Sequence, residues 1–247
     1  MAINYFIILF LAFLSGATTL IGVWLAICCK NNTKAIVTGI GFSTGIMLLI
    51  PIFELIPESL KNASLLNVAV ALFSGVICLA LLNYFIPHSH LIKEKESNKS
   101  QLYKVAFLVT LGLILHDFPE GFAMANSYVL APSLGIMVAI SIALHNIPEE
   151  FAIAAPIVML KDKKFLFKAA FVSGLAEPAG AIIGLIGIAI VPSLTPIFLS
   201  FAAGAMIFVS IHELVPFANR YKMPLFFISG IILSVIVFSI LKFLLPS

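Results

Sequence analysis

Eight apolar stretches of about 20 residues or more follow one another along this chain, and nothing else in it constrains the fold so strongly. They run over 2–27, 35–57, 64–87, 104–127, 132–159, 166–191, 195–218 and 222–245. In lipid, every backbone N–H and C=O has to be satisfied within the protein, and runs of this length do that as helices. The expected fold is all-α: one polytopic transmembrane domain over 1–247, with a single hydrophilic loop at about 88–103. Composition agrees. Only 10% of the 247 residues are charged and 62% are hydrophobic, whereas soluble domains carry roughly 25% and 45–50%. Such a chain cannot cover a globular surface with polar groups, which excludes a soluble enzyme. With 14 basic and 11 acidic residues it has no basic face for nucleic acid. The N-terminus lacks a basic leader, so the first stretch reads as a retained span rather than a signal peptide. Cys28, Cys29 and Cys78 have no metal or disulfide spacing and read as inert thiols in or beside apolar runs.

The few charges set the orientation. Twelve of the 14 basic residues fall in alternate connections: Lys30, Lys34, Lys93, Lys95, Lys99, Lys104, Lys161, Lys163, Lys164, Lys168, Arg220 and Lys222. The opposite side holds Lys61 and Lys242. The positive-inside rule then places both termini outside the cell membrane.

Two internal repeats stand out. Residues 42–57 read FSTGIMLLIPIFELIP and residues 201–216 read FAAGAMIFVSIHELVP, an offset of 159 (201 − 42) with seven of 16 positions identical. They lie in spans two and seven, which cross the membrane in opposite directions. Residues 116–125 read HDFPEGFAMA and residues 145–154 read HNIPEEFAIA, an offset of 29 (145 − 116) with six of ten identical. These fall in spans four and five. The pattern predicts a 3+2+3 inverted repeat, in which spans 1–3 mirror 6–8 and a site lies at the midplane between the halves.

Seven of the 11 acids are inside apolar runs: Glu54, Asp117, Glu120, Glu149, Glu150, Glu177 and Glu213. Each costs roughly 2.5–3.5 kcal/mol to insert at mid-bilayer, and packing does not need so many. Helical spacing collects them. His116 and Glu120 are four apart, Asp117 and Glu120 three apart, and both pairs share a face. His145, Asn146 and Glu149 repeat this on the next span. Carboxylate and imidazole together suit Zn²⁺, and also Fe²⁺ and Mn²⁺. Pro119 and Pro148 follow the histidines by three and predict breaks in spans four and five, and Pro178 follows Glu177 directly. A single intramembrane histidine such as His212 serves equally as a helix–helix hydrogen-bonding residue, and Met47 as core filler. His212-Glu213 opens like a zincin motif, but Pro216 stands where the second histidine belongs, so that motif fails.

HDFPEG at 116–121, HNIPEE at 145–150 and SGLAEP at 173–178 resemble the signature helices of the ZIP (Zrt-, Irt-like) metal transporters, in particular the short prokaryotic zinc-uptake branch. The resemblance covers essentially the whole chain. It implies a two-metal centre. His116, Glu120, His145 and Glu149 would hold one ion, with Met47 as an extra ligand. Asp117, Glu120, Asn146, Glu149 and Glu177 would hold the other, Glu120 and Glu149 bridging. His212 and Glu213 are similar to the family's inner exit residues. His88 and His90 match its histidine-bearing cytoplasmic loop, and Glu54 and Glu58 take the mirrored outer position, an entrance. The resemblance also implies a homodimer and an elevator motion of spans 1, 4, 5 and 6 against 2, 3, 7 and 8. Two departures, Asp117 for the commoner Asn and Glu150 for Gly, add negative charge and weaken strict zinc selectivity.

The expected function is import of a divalent metal ion, Zn²⁺ first, with Fe²⁺, Mn²⁺ and Cd²⁺ as further substrates. The metal is cargo, and no prosthetic group is expected. The expected partners are that ion and the bilayer. The alternatives are an intramembrane metallohydrolase and a metal or proton sensor that does not transport. Driving force and the role of Glu150 do not follow from the residues.

Overall fold

Each apolar run satisfies its backbone as helix, and the polar residues at the ends start and stop it. The computed structural model describes residues 4–28, 32–85, 99–157 and 163–246. His88 and His90, with Cys29, Lys30, Lys93, Lys95 and Lys161, lie outside the described residues. The elements are α1 (Tyr5–Ala17), α2 (Thr19–Cys28), α3 (Thr33–Ile50), α4 (Ile56–Asn62), α5 (Leu65–Phe85), α6 (Lys99–Leu130), α7 (Pro132–Ile157), α8 (Lys163–Gly174), α9 (Ala176–Ile190), α10 (Thr195–Val209), α11 (Val215–Asn219) and α12 (Pro224–Leu244). The described residues contain no strand. Asn4 and Asn32 cap α1 and α3, their side-chain oxygens accepting from the Ile7 and Ala35 amides at 3.2 and 3.1 Å.

Among the described residues, seven helical segments are long and apolar enough to cross a membrane: Tyr5–Cys28, Thr33–Asn62, Leu65–Tyr84, Pro132–Ala154, Lys163–Ile190, Pro192–Asn219 and Pro224–Leu244. The remaining long helix, α6, has 32 residues. α5 and α12 are the most peripheral, with 22% and 17% of their apolar stretches buried. They expose Leu65, Phe73, Leu225 and Phe243, a surface that water would not tolerate and lipid does.

α3 lies along α12 and α10 along α5, forming one set of tight pairs. α6 lies along α9 and α2 along α7, forming another, and α6 packs on α7. α3 meets α7 and α10 meets α6 where the sets join.

The helix interruptions fall where the sequence does not advertise them. α6 runs on through Pro119 and α7 through Pro148, so the breaks expected there are absent. A proline removes one intrahelical bond, and close neighbours hold the helix: a Cβ on Gly39 of α3 would stand 2.9 Å from the Pro148 Cβ. Spans one and six are broken instead, at Thr18 between α1 and α2 and at Leu175 between α8 and α9. Pro178 sits in the first turn of α9, where a missing N–H costs nothing. The two breaks meet at a crossing of Gly16 and Gly174. A Cβ on Gly16 would lie 2.1 Å from the Gly174 carbonyl oxygen, so only glycine lets these backbones approach.

Spans two and seven are widened by π turns, Pro51–Leu55 and Ser210–Leu214. The separation of these turns (210 − 51) equals the offset of the longer sequence repeat. α3 and α10 end, and α4 and α11 begin, at the same offset. α5 and α12 both have 21 residues, and their starts keep the offset too (224 − 65).

Candidate metal centre

α6 and α7 each carry a histidine and a glutamate one turn apart, and their packing crosses the pairs over. His116 Nε2 lies 3.0 Å from Glu149 Oε1 on the neighbouring helix and 3.4 Å from its own helix's Glu120 Oε1. His145 Nε2 lies 3.0 Å from Glu120 Oε1. The two interhelix contacts are copies of each other under the shorter repeat. Ligand atoms of His116, His145 and Glu149 all lie within 4.8 Å of one another, close enough to hold a metal ion. All four side chains are buried, Glu120 and His145 completely. His145 is aimed from behind: its Nδ1 is 3.0 Å from the Ser141 carbonyl, so Nε2 faces the carboxylate.

A second group adjoins the first, one position along each helix. Asn146 Nδ2 donates to Glu177 Oε1 at 2.6 Å, bringing α9 onto α7. Ser15 at the end of α1 donates to the other oxygen of Glu177. Ser173 at the end of α8 donates to Asp117 Oδ2. Asp117, Asn146 and Glu177 are buried. The backbone of α9 presses on α6 here: a Cβ on Gly121 would stand 1.9 Å from the Glu177 carbonyl oxygen. At the repeat position in α7 the residue is Glu150, and Gly22 of α2 makes room for it, since a Cβ on Gly22 would lie 2.6 Å from the Glu150 Cβ. Glu150 is buried, and its Oε2 has no hydrogen-bond partner. Glu120 Oε2 and both carboxylate oxygens of Glu149 are likewise without a hydrogen-bond donor, the His116 ring standing near Glu149 Oε1 without hydrogen-bond geometry.

Of the remaining sequence candidates, Met47 adjoins the cluster and Glu54, Glu58, His212 and Glu213 lie apart from it. Met47 is fully buried in α3. It lies one turn beyond Ser43, whose hydroxyl donates to the His145 carbonyl at 2.8 Å, so it faces α7 near the cluster. Glu54, in the first π turn, is buried and pairs with Lys242 at 2.7 Å. Glu58 pairs with Lys61 at 2.8 Å at the exposed end of α4. His212, in the second π turn, is exposed and stacks on Phe208 with ring centroids 4.8 Å apart, and Glu213 is half-buried beside it.

Sequence reasoning did not single out Ser15, Ser173 or Ser43. A signal for the first two was present. Ser15-Gly16 and Ser173-Gly174 are the same dipeptide at nearly the offset of the longer repeat (173 − 15), in the two spans that the 3+2+3 pattern pairs.

Buried histidines and carboxylates gathered between helices of a membrane-crossing bundle define a class: a polytopic membrane protein with a candidate cation site inside it. The particular family is ZIP. The "ZIP Zinc transporter" family model matches residues 87–244. The zinc transporter ZupT of Chlorobium limicola is 36% identical over 253 residues, covering 93% of this chain and 94% of that protein. ZupT of Streptococcus mutans is 34% identical over 261 residues, covering 97% and 98%. ZupT of Lysinibacillus sphaericus is 36% identical over 236 residues, covering 85% and 87%. The chain belongs to the ZIP family, and is an integral protein of the cell membrane and a transporter rather than an enzyme.

Proposed function

We propose that this protein is one membrane domain over 1–247 that imports divalent metal ions, Zn²⁺ foremost, through a two-metal centre between spans four and five. The observation that carries the reading is the crossed pairing of His116 with Glu149 and His145 with Glu120, buried and, among the described residues, without a lysine or arginine in its ion pairs. A cation at the crossing would take the first group, His116, Glu120, His145 and Glu149, as its ligands, with Met47 reaching in from α3. A second ion would take Asp117, Asn146 and Glu177, sharing Glu120 and Glu149, whose Oε2 atoms lack donors. The metal is substrate throughout, and no prosthetic group takes part. Fe²⁺, Mn²⁺ and Cd²⁺ fit the same oxygen and nitrogen donors.

The path runs from Glu54 and Glu58 at the outer side to His212 and Glu213 at the inner, with both termini outside. The shared register of helix ends and π turns in the two halves supports a 3+2+3 inverted repeat. The two sets of paired helices support movement of spans 1, 4, 5 and 6 against 2, 3, 7 and 8, which would expose the site to each side in turn. The lipid-facing α5 and α12 belong to the static set in this scheme, and a homodimer is its oligomeric state.

The test is uptake by purified protein in liposomes, with ⁶⁵Zn²⁺ as tracer and Fe²⁺, Mn²⁺ and Cd²⁺ as competitors. Saturable accumulation, competed by the other ions, is expected. Stoichiometric metal binding without accumulation would replace transport by sensing.

A further inference from the structure

Sorting the charges leaves two lysines away from the basic side, and both sit on acids. Lys61 and Glu58 are neighbours on the exposed α4, an ordinary surface pair. The other pair is of a different kind. Lys242, in the last turn of α12, reaches Glu54 in the π turn after α3, Nζ to Oε1 at 2.7 Å. The glutamate side chain is 3% exposed and the lysine 49%. Phe238, one turn before Lys242, packs on Phe53 with ring centroids 6.3 Å apart and holds α12 over the turn. The acid is therefore fixed inside, and the ammonium covers it from the open side on a flexible stem.

The repeat supplies a control within the molecule. In the register of the longer repeat, Glu54 corresponds to Glu213, Phe53 to His212 and Lys242 to Asn83. The same π turn forms at both places. A lysine at this position of the last helix is thus not a requirement of the turn, because Asn83 occupies it in the other copy.

We infer that Lys242 is a tethered counter-cation that keeps monovalent ions off Glu54 and gives way to a divalent metal, setting apparent affinity and charge selectivity at the outer mouth. This rests on the reading that Glu54 lies on the metal's path. A tethered ammonium occupies the acid at high effective concentration, so a free monovalent ion of equal charge competes poorly. A divalent ion brings twice the charge to the same oxygen, doubling the Coulomb attraction at equal distance. The half-exposed lysine then swings into water and regains its hydration.

The experiment uses the full-length protein in liposomes and measures Zn²⁺ uptake against concentration. Lys242→Gln is expected to lower KM about fivefold with Vmax unchanged, the scale of a partly exposed ion pair. In the same variant, replacing choline by Na⁺ at constant ionic strength should raise KM, while wild type should not respond. Lys242→Arg, which keeps the charge, should behave as wild type. Glu54→Gln should abolish the effect of Lys242→Gln. A Lys242→Gln protein with lowered Vmax, unchanged KM and no response to Na⁺ would make the pair a structural brace and overturn the inference while leaving transport intact. Absence of Zn²⁺ uptake by wild type would overturn the transport reading and this inference with it.

Discussion

The acids in and after the first π turn and the acids at the centre are carboxylates of one bundle, yet they are neutralised differently. At the first π turn and the start of α4, Glu54 and Glu58 each have a lysine at 2.7–2.8 Å. At the centre Asp117, Glu120, Glu149 and Glu177 are met by hydroxyls, an amide and imidazoles. A lysine ammonium brings a full positive charge and makes a carboxylate self-sufficient. Hydroxyls and an amide orient a carboxylate without cancelling its charge, and burying uncompensated charge is costly. On the proposed function, the centre takes its positive charge from a metal ion, whereas the first π turn carries its own in Lys242.

Breaking the centre should have the largest effect. Glu120→Ala strands His145, and Glu149→Ala strands His116. Either is expected to reduce ⁶⁵Zn²⁺ uptake in liposomes to the level of empty vesicles. Full uptake by either variant would erase the distinction between centre and rim. A smaller loss should follow removal of the hydroxyls that aim the second group. Ser15→Ala and Ser173→Ala are each expected to weaken metal binding about tenfold, as for other residues that orient ligands, read by titration calorimetry of the purified protein. Unchanged affinity in both would mean that Asp117 and Glu177 need no aiming.

The crossing beside these serines can be tested without touching a ligand. Gly16→Ala pushes a methyl group into the Gly174 carbonyl and should cost about 1–3 kcal/mol, the usual scale of overpacking. A lowered thermal transition in detergent would record it. The smallest effect belongs to the rim. Lys61→Ala removes an exposed pair on α4 and should change stability by no more than about 0.5 kcal/mol, with Zn²⁺ uptake unaltered. A marked loss of uptake would show that the rim acids depend on their lysines as strongly as the central acids depend on their histidines.

Much of the centre was legible in the residues because its spacing is local. His116 and Glu120, or His145 and Glu149, share a face through helix geometry alone, and the repetition of the pair on the next span implied a partner. Glu177 was legible only as an acid beside a proline, and Lys242 only as a charge on the minority side. The prolines misled. Pro119 and Pro148 marked important helices without breaking them, because a tightly packed neighbour holds the helix where a bond is missing. The real interruptions, at Thr18 and Leu175, lie beside a glycine whose importance depends on the helix it crosses.

Taken alone, the residues determined that the chain lives in lipid, that it is helical, and that it carries metal-ligand types on the faces of spans four and five. Composition and the helical period decide these locally. Which acid meets which donor was decided by the tertiary structure. Ser15 and Glu177 are 162 residues apart, and Glu54 meets Lys242 from the far end of the chain. No periodicity in one helix specifies the side chain that another will bring to it. The difference between a carboxylate met by histidines and one already paired with a lysine therefore appears only when the helices are packed.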